Sequence, residues 1–189
     1  MNCNPTHTFK TKTDLLIWIR PLLPNDIQNL VDIFKHLSPD SRYLRFHEAL
    51  TDPSPQLIQE RAEEMATIPA EKGKGWLAFA DLPGQSCAPI GGVRYVLLPG
   101  TTDVAEVALT VRDDLQGHGI GRELLGLVIK QARAEGIRSL VAVVQAENRA
   151  ILKLLSGTPY PISRSLKSGE VYVEADISSE PPHQNHRDS

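Results

Sequence analysis

An apolar strand that runs into three glycines at alternate positions, with an amphipathic helix starting at once, constrains this chain more than any other feature. The stretch reads Val107-Ala-Leu-Thr-Val111-Arg-Asp-Asp-Leu-Gln116-Gly-His-Gly-Ile-Gly121-Arg122. Leu124, Leu125, Val128, Ile129 and Ala132 then recur at helical spacing. Glycine permits backbone conformations and close approaches that a Cβ forbids. The first amides of a helix lack partners within it and carry the positive end of its dipole, so they suit a phosphate. The segment therefore predicts a diphosphate cradle around residues 117 to 122. A connection that merely packs a helix tightly on a sheet accounts for one such glycine, but poorly for three in alternation.

Two familiar phosphate loops do not fit. No Gly-Lys-Ser/Thr ending follows, which excludes a P-loop. The G-x-G-x-x-G dinucleotide fingerprint fails in both registers, because Arg122 and Leu124 stand where its third glycine belongs. The pattern Q/R-x-x-G-x-G/A is met by Gln116, Gly119 and Gly121. It resembles the acetyl-CoA-binding motif of the GNAT superfamily of N-acetyltransferases. The likeness extends from about Ile17 to Ile177 and is sharpest between Gly91 and Leu155. Ala105-Glu106-Val107-Ala108 and Ser38-Pro-Asp-Ser-Arg-Tyr-Leu-Arg-Phe46 further resemble the catalytic domain of bacterial protein-lysine acetyltransferases.

That resemblance implies acetyl-CoA as cosubstrate, with no metal. It implies that Gln116, Gly117, His118, Gly119, Ile120, Gly121 and Arg122 hold the pyrophosphate. Leu109, Thr110 and Val111 would offer backbone hydrogen bonds to the acetyl and pantetheine part, and Asn148 a side-chain contact to the pantetheine arm. Asn148 also opens a helix, where it is a good cap in its own right. Relatives often carry an attached regulatory or ligase-like domain. These residues leave no room for one, which counts against a lysine acceptor.

Composition sets outer limits. The 189 residues are 41% apolar and 23% charged, which suits one folded domain with a full core. A formal charge of −3 argues against nucleic-acid binding. Without an apolar run near 18 residues or a signal-peptide h-region, the chain reads as soluble and cytoplasmic, with no membrane partner. Cys3 and Cys87 are too few and too far apart to suggest a disulfide framework or a metal site.

Residues 1–13 and 178–189 are polar and patternless, and are expected to be disordered around a single domain over 14–177. Within it the sequence predicts a strand over 15–19, then a helix carrying Ile27, Leu30, Val31 and Phe34. Ser38-Pro39 and Ser54-Pro55 each place a capping hydroxyl before a proline, so helices are expected over 39–49 and 55–67. Strands over 75–80 and 90–98 are joined by Pro83-Gly84, and another follows over 104–111. A helix over 119–135 stopped by Gly136, a strand over 139–144, a helix over 148–155 and one or two final strands complete the chain. The expected fold is α/β (α+β), the GNAT fold, with a mixed, mostly antiparallel sheet of six to seven strands and about five helices.

Acetyl transfer to an amine needs the amine neutral and the carbonyl oxygen stabilised. For a lysine of ordinary pKa, deprotonation at pH 7 costs roughly 4–5 kcal/mol, so a base with a proton path is valuable. Glu106, at the start of the strand that feeds the glycine loop, is the candidate catalytic base, expected half-buried; an exposed carboxylate that solubilises the sheet is the plain alternative. In the lysine acetyltransferases it resembles, the Glu of the corresponding segment has this role. Donors to the oxyanion would be amides near Leu109 to Val111, provided the strand bulges or splays from its neighbour there. Ala108 and Thr110 share the Glu106 face. Ser156 and Tyr160 are available as a proton donor to the leaving thiolate, a role left unassigned. Arg42, Tyr43, Arg45, Phe46 and His47 lie where this superfamily shapes its acceptor site, either selecting acidic or aromatic surroundings or simply packing. His36 is expected at the surface, and His118 to meet phosphate through its backbone. The reading is an N-acetyltransferase acting by direct attack in a ternary complex, with a protein lysine as acceptor. A small-molecule amine, or a non-catalytic acetyl-CoA sensor, is the alternative.

Overall fold

A computed structural model describes residues 5–179. Its strands are β1 (His7–Lys10), β2 (Leu16–Pro21), β3 (Gly73–Leu82), β4 (Gln85–Leu97), β5 (Val104–Val111), β6 (Ser139–Gln145), β7 (Ile162–Lys167) and β8 (Glu170–Asp176). They form one sheet in the order β1-β2-β3-β4-β5-β6-β8-β7. Only the β5–β6 pair is parallel. The helices are α1 (Ile27–Lys35), α2 (Pro39–Phe46), α3 (Pro55–Ala66), α4 (Ile120–Ala134) and α5 (Arg149–Ser156). Eight strands stand where six to seven were expected. The architecture is otherwise the anticipated GNAT fold.

The additional strand lies in the stretch expected to be disordered. His7–Lys10 pairs antiparallel with β2, and half-buried Phe9 packs against the core. Four residues with one apolar side chain, Phe9, among polar neighbours give too short an alternation to be read from sequence. Residues 1–4 and 180–189, which held the rest of the expected tails, lie outside the described residues.

Helices cover both faces of the sheet. The α4 stripe Ile120, Leu124, Leu125, Val128, Ile129 and Ala132 is buried, as the spacing predicts. It joins Ile17, Ile19, Ala78, Val107 and Leu140 in the larger core cluster. On the opposite face Ile33 of α1 packs with Leu77 and Phe79 of β3. Both Ser-Pro caps form: Ser38 Oγ accepts from the Ser41 amide at 3.1 Å and Ser54 Oγ from the Leu57 amide at 3.2 Å. Helix α2 ends earlier than expected, because His47 adopts a left-handed conformation with φ 58°.

The start of α1 is fixed by a buried ion pair. Arg20 donates twice to Asp26 at 2.6 Å, and the Leu23 amide and Asn29 side chain donate to the same carboxylate. Burial alone would raise the Asp26 pKa. The Arg20, Leu23 and Asn29 donors overcome that and hold it below the ordinary 3.8.

Candidate active site

The site begins where the sheet comes apart. Parallel pairing of β5 with β6 covers Val104↔Ser139, Ala105↔Leu140 and Glu106↔Val141, and then stops. Beyond that point β5 stays paired only with β4, up to Gly91↔Val111, while β6 stays paired with β8. The Arg112 amide donates to Ile90 O at 2.9 Å, which fixes the alternation of the β4–β5 ladder. By that alternation Leu109 and Val111 turn their N–H and C=O groups away from β4, into the gap. Thr110 turns its backbone toward β4 and its side chain toward the α2 side. The splay that an oxyanion site requires is therefore present, with Leu109 and Val111 rather than Thr110 offering main-chain groups to it.

At the head of the gap lies the glycine loop. Gly117 and Gly119 have φ values of 81° and 86°, and Gly119 caps α4 without any side-chain hydrogen bond. Among the described residues, the amides of Gly117, His118, Gly119, Ile120 and Gly121 donate to no protein acceptor. Five successive free donors at a helix start form a concave, electropositive seat for an anion. A Cβ on Gly121 would meet Leu109 Cδ2 and Leu154 Cδ2, each at 3.4 Å, so this glycine lets α4 sit close to β5 and α5. The exposed Gln116 side chain folds back and donates to Val111 O at 3.3 Å and Asp113 Oδ1 at 3.0 Å, bracing the loop. His118 Nδ1 likewise reaches Gln116 O at 3.1 Å, leaving its amide, not its ring, for a ligand. Arg122 is exposed in the first turn of α4.

Glu106 stands at the point of divergence, one residue pair from the gap. It is exposed, not half-buried as expected. Cross-strand pairing puts Arg94 opposite Ala108 and Gly92 opposite Thr110, so these residues share the Glu106 face. Helices α1, α2 and α3 roof this face over a cavity of about 50 Å³. Its lining includes Phe34, Arg45, Phe46, Arg94, Ala108 and Thr110. Arg45 Nε donates to Thr110 Oγ1 at 2.9 Å. Burial first, then the neighbouring Arg94, pulls the Arg45 pKa down to about 10, against the pull of Glu106. Arg94 is lowered by burial as well, opposed by Glu106 and then Glu64. Sequence reasoning passed over Arg94. Its signal was an arginine inside the apolar run Ile90-Gly-Gly-Val-Arg-Tyr-Val96.

The other candidates divide. Asn148 Oδ1 accepts from the Ile151 amide at 3.1 Å, so the capping role is realised and the side-chain nitrogen is left over. The Tyr160 hydroxyl sits 3.4 Å from Arg133 in the last turn of α4, the far end from the glycine loop, so it is removed from the gap. Ser156 is engaged with Leu152 O and Arg164. Along α2, Tyr43 is exposed, Arg42 lies 4.5 Å over the Phe34 ring, and Phe46 packs on Phe34 at 5.6 Å. His47 Nδ1 pairs with Glu170 Oε1 at 2.6 Å, tying the end of α2 to β8 across the opening. His36 turns its ring back to Asp32 O at 2.8 Å.

The acetyltransferase (GNAT) family matches residues 31–156. The chain belongs to that family. It is 26% identical over 173 residues to the acetyltransferase Pat of Mycolicibacterium smegmatis, covering 89% of this chain and 45% of Pat. Acetyltransferase PA5475 of Pseudomonas aeruginosa is 29% identical over 138 residues, 73% of this chain and 71% of that protein. Among solved structures, the GNAT domain of S. lividans PAT superposes with a TM-score of 0.75 at 26% identity, over 90% of this chain and 96% of that domain. The chain thus spans less than half of Pat and nearly all of the isolated PAT domain.

Proposed function

We propose that this GNAT domain is an acetyl-CoA-dependent N-acetyltransferase that acetylates a primary amine, with a protein lysine as acceptor. The observation that carries the reading is the coincidence of five free amides, residues 117 to 121, with a sheet that opens immediately beyond Glu106. Gly117 to Gly121 supply the seat for the pyrophosphate, with Arg122 at its rim. Leu109 and Val111 turn their main-chain amides into the gap, where the pantetheine arm extends and where a carbonyl oxygen gaining charge finds donors. Asn148, which caps α5 just beyond β6, would add its side-chain nitrogen.

Glu106 takes the proton from the incoming amine, directly or through a water, as attack proceeds in a ternary complex. The leaving thiolate has an ordinary thiol pKa near 8.5 and needs little help. That suits a site from which Tyr160 points away. The resemblance of Ala105-Glu106-Val107-Ala108 and of Ser38–Phe46 to protein-lysine acetyltransferases supports a protein lysine. The roof of α1–α3 over a small cavity favours a second reading, a small-molecule amine.

Replacing Glu106 by Gln is expected to leave acetyl-CoA binding near wild type and to cut turnover about 10²–10⁴-fold, the usual worth of a positioned base. Release of CoA in the presence of lysine peptides, with binding followed by calorimetry, checks this. Wild-type turnover in the variant would remove Glu106 from the chemistry.

A further inference from the structure

We propose that Arg45 and Arg94 act as an anion-reading pair that selects an acceptor carrying a carboxylate close to the amine to be acetylated. The inference rests on the acetyltransferase reading and names the substrate class of that site. Both arginines are partly buried and line one cavity with Phe34, Phe46, Ala108 and Thr110. Arg45 is anchored through Nε to Thr110, which leaves the two terminal nitrogens of its fork without a protein hydrogen bond among the described residues. Arg94 makes no hydrogen bond and no ion pair among the described residues.

Two partly desolvated like charges side by side are unfavourable for the empty protein. Arg94 acts on Arg45, and both are acted on by Glu106 as the common counter-charge. Glu106 balances one of the two. Glu64 also acts on Arg94, but it is exposed and its own ion-pair partner is Arg61, at 3.6 Å. One positive charge in the cavity is left for a ligand. A planar fork with free donors accepts a carboxylate in bidentate fashion. The arrangement serves the chemistry too: cations beside the incoming ammonium favour its neutral, nucleophilic form. Glu106 is in no ion pair within 4 Å among the described residues, so it keeps its lone pairs for the amine.

The carboxylate has two sources, an Asp or Glu side chain beside a lysine in a protein, or the α-carboxylate of a free amino acid. Two series of matched acceptors separate them: lysine peptides differing only in Glu or Ala beside the lysine, and free amino acids against the corresponding amines that lack the carboxylate. CoA release is measured for each with the wild-type chain and with Arg94→Gln, Arg94→Lys and Arg45→Gln.

The carboxylate-bearing member of at least one series is expected to exceed its twin by about ten- to a hundredfold in kcat/KM, the worth of a charge-assisted hydrogen bond. Arg94→Gln and Arg45→Gln should each shrink that ratio through the KM of the acidic acceptor rather than through kcat, and Arg94→Lys should restore part of it. The series that shows the ratio identifies the source. Equal kcat/KM for twins in both series, or a ratio that survives both Gln variants, overturns the proposal while leaving the acetyltransferase reading in place. No release from any amine despite bound acetyl-CoA removes both. The wild-type ratios decide the matter even where a variant fails to fold.

Discussion

Gly117, Gly119 and Gly121 share a spacing but not a task. The first two take left-handed backbone angles that turn the chain so that successive amides converge. Space is not the constraint there, since a Cβ at either position would meet nothing within 4 Å. The constraint is conformational, and a side chain in the left-handed region costs about 1–2 kcal/mol. Gly119→Ala is accordingly expected to lower stability by that amount and to weaken acetyl-CoA binding as the amides tilt, read from unfolding midpoints and calorimetry. Gly121 is instead a close-packing position against Leu109 and Leu154, so a larger side chain there should displace the first turn of α4. Glu106 marks the reverse situation. Its identity as the candidate base was legible in Ala105-Glu-Val-Ala108, but its exposure was not, because exposure depends on how far α1–α3 cover that face of the sheet, and no local pattern encodes that.

Elements carry the site through a few specific joints. Asp113 accepts from the Ser38 amide at 2.9 Å and from Gln116 Nε2 at 3.0 Å, and its own amide donates to His36 O at 3.3 Å. It bolts the stretch before the glycine loop to the turn between α1 and α2, which roof the cavity lined by Arg45 and Arg94. Asp113→Ala should therefore raise the KM for acetyl-CoA and for the acceptor together, each about tenfold, the scale expected when donors lose a charged acceptor. Steady-state kinetics against both substrates checks this, and a change confined to one of them would refute the joint. Asp26 sets the position of α1. Its carboxyl is held below the ordinary range, so the unfolded chain binds its proton more readily and stability rises with pH there. The contribution is complete above the ordinary carboxylate value and is lost as pH falls through the depressed one. Asp26→Asn should cost about 3–5 kcal/mol near neutral pH, because Arg20 is left buried without its counter-charge, and should flatten the acid limb of stability against pH. Urea unfolding across pH measures both.

At the scale of the whole molecule, the opening follows from topology. Strand β5 must run parallel to β6 because α4 crosses between them, whereas β6 is committed along its full length to β8. Three paired residues hold the two halves of the sheet together, and the remainder diverges around the site. The sequence carried the long, strongly periodic pieces: the α4 stripe, the Ser-Pro caps, the Pro83-Gly84 turn and the glycine loop. It did not carry β1, whose four residues depend on β2 for their pattern, nor the left-handed end of α2 at His47. Arg94 escaped notice because its meaning lies in Arg45, 49 positions earlier in the chain and joined to it only by the fold. With acetyl-CoA at about a hundred times its dissociation constant, binding should add about 2.7 kcal/mol and raise the melting temperature by about 5–10 °C. NAD and ATP should leave it unmoved.

The most direct test follows the amide resonances of ¹⁵N-labelled protein while acetyl-CoA is added. Gly117, His118, Gly119, Ile120 and Gly121 should show the largest shifts in the chain, saturating together, with Leu109 and Val111 next. Saturable binding that leaves those five amides in place and moves resonances elsewhere would contradict the account at its root.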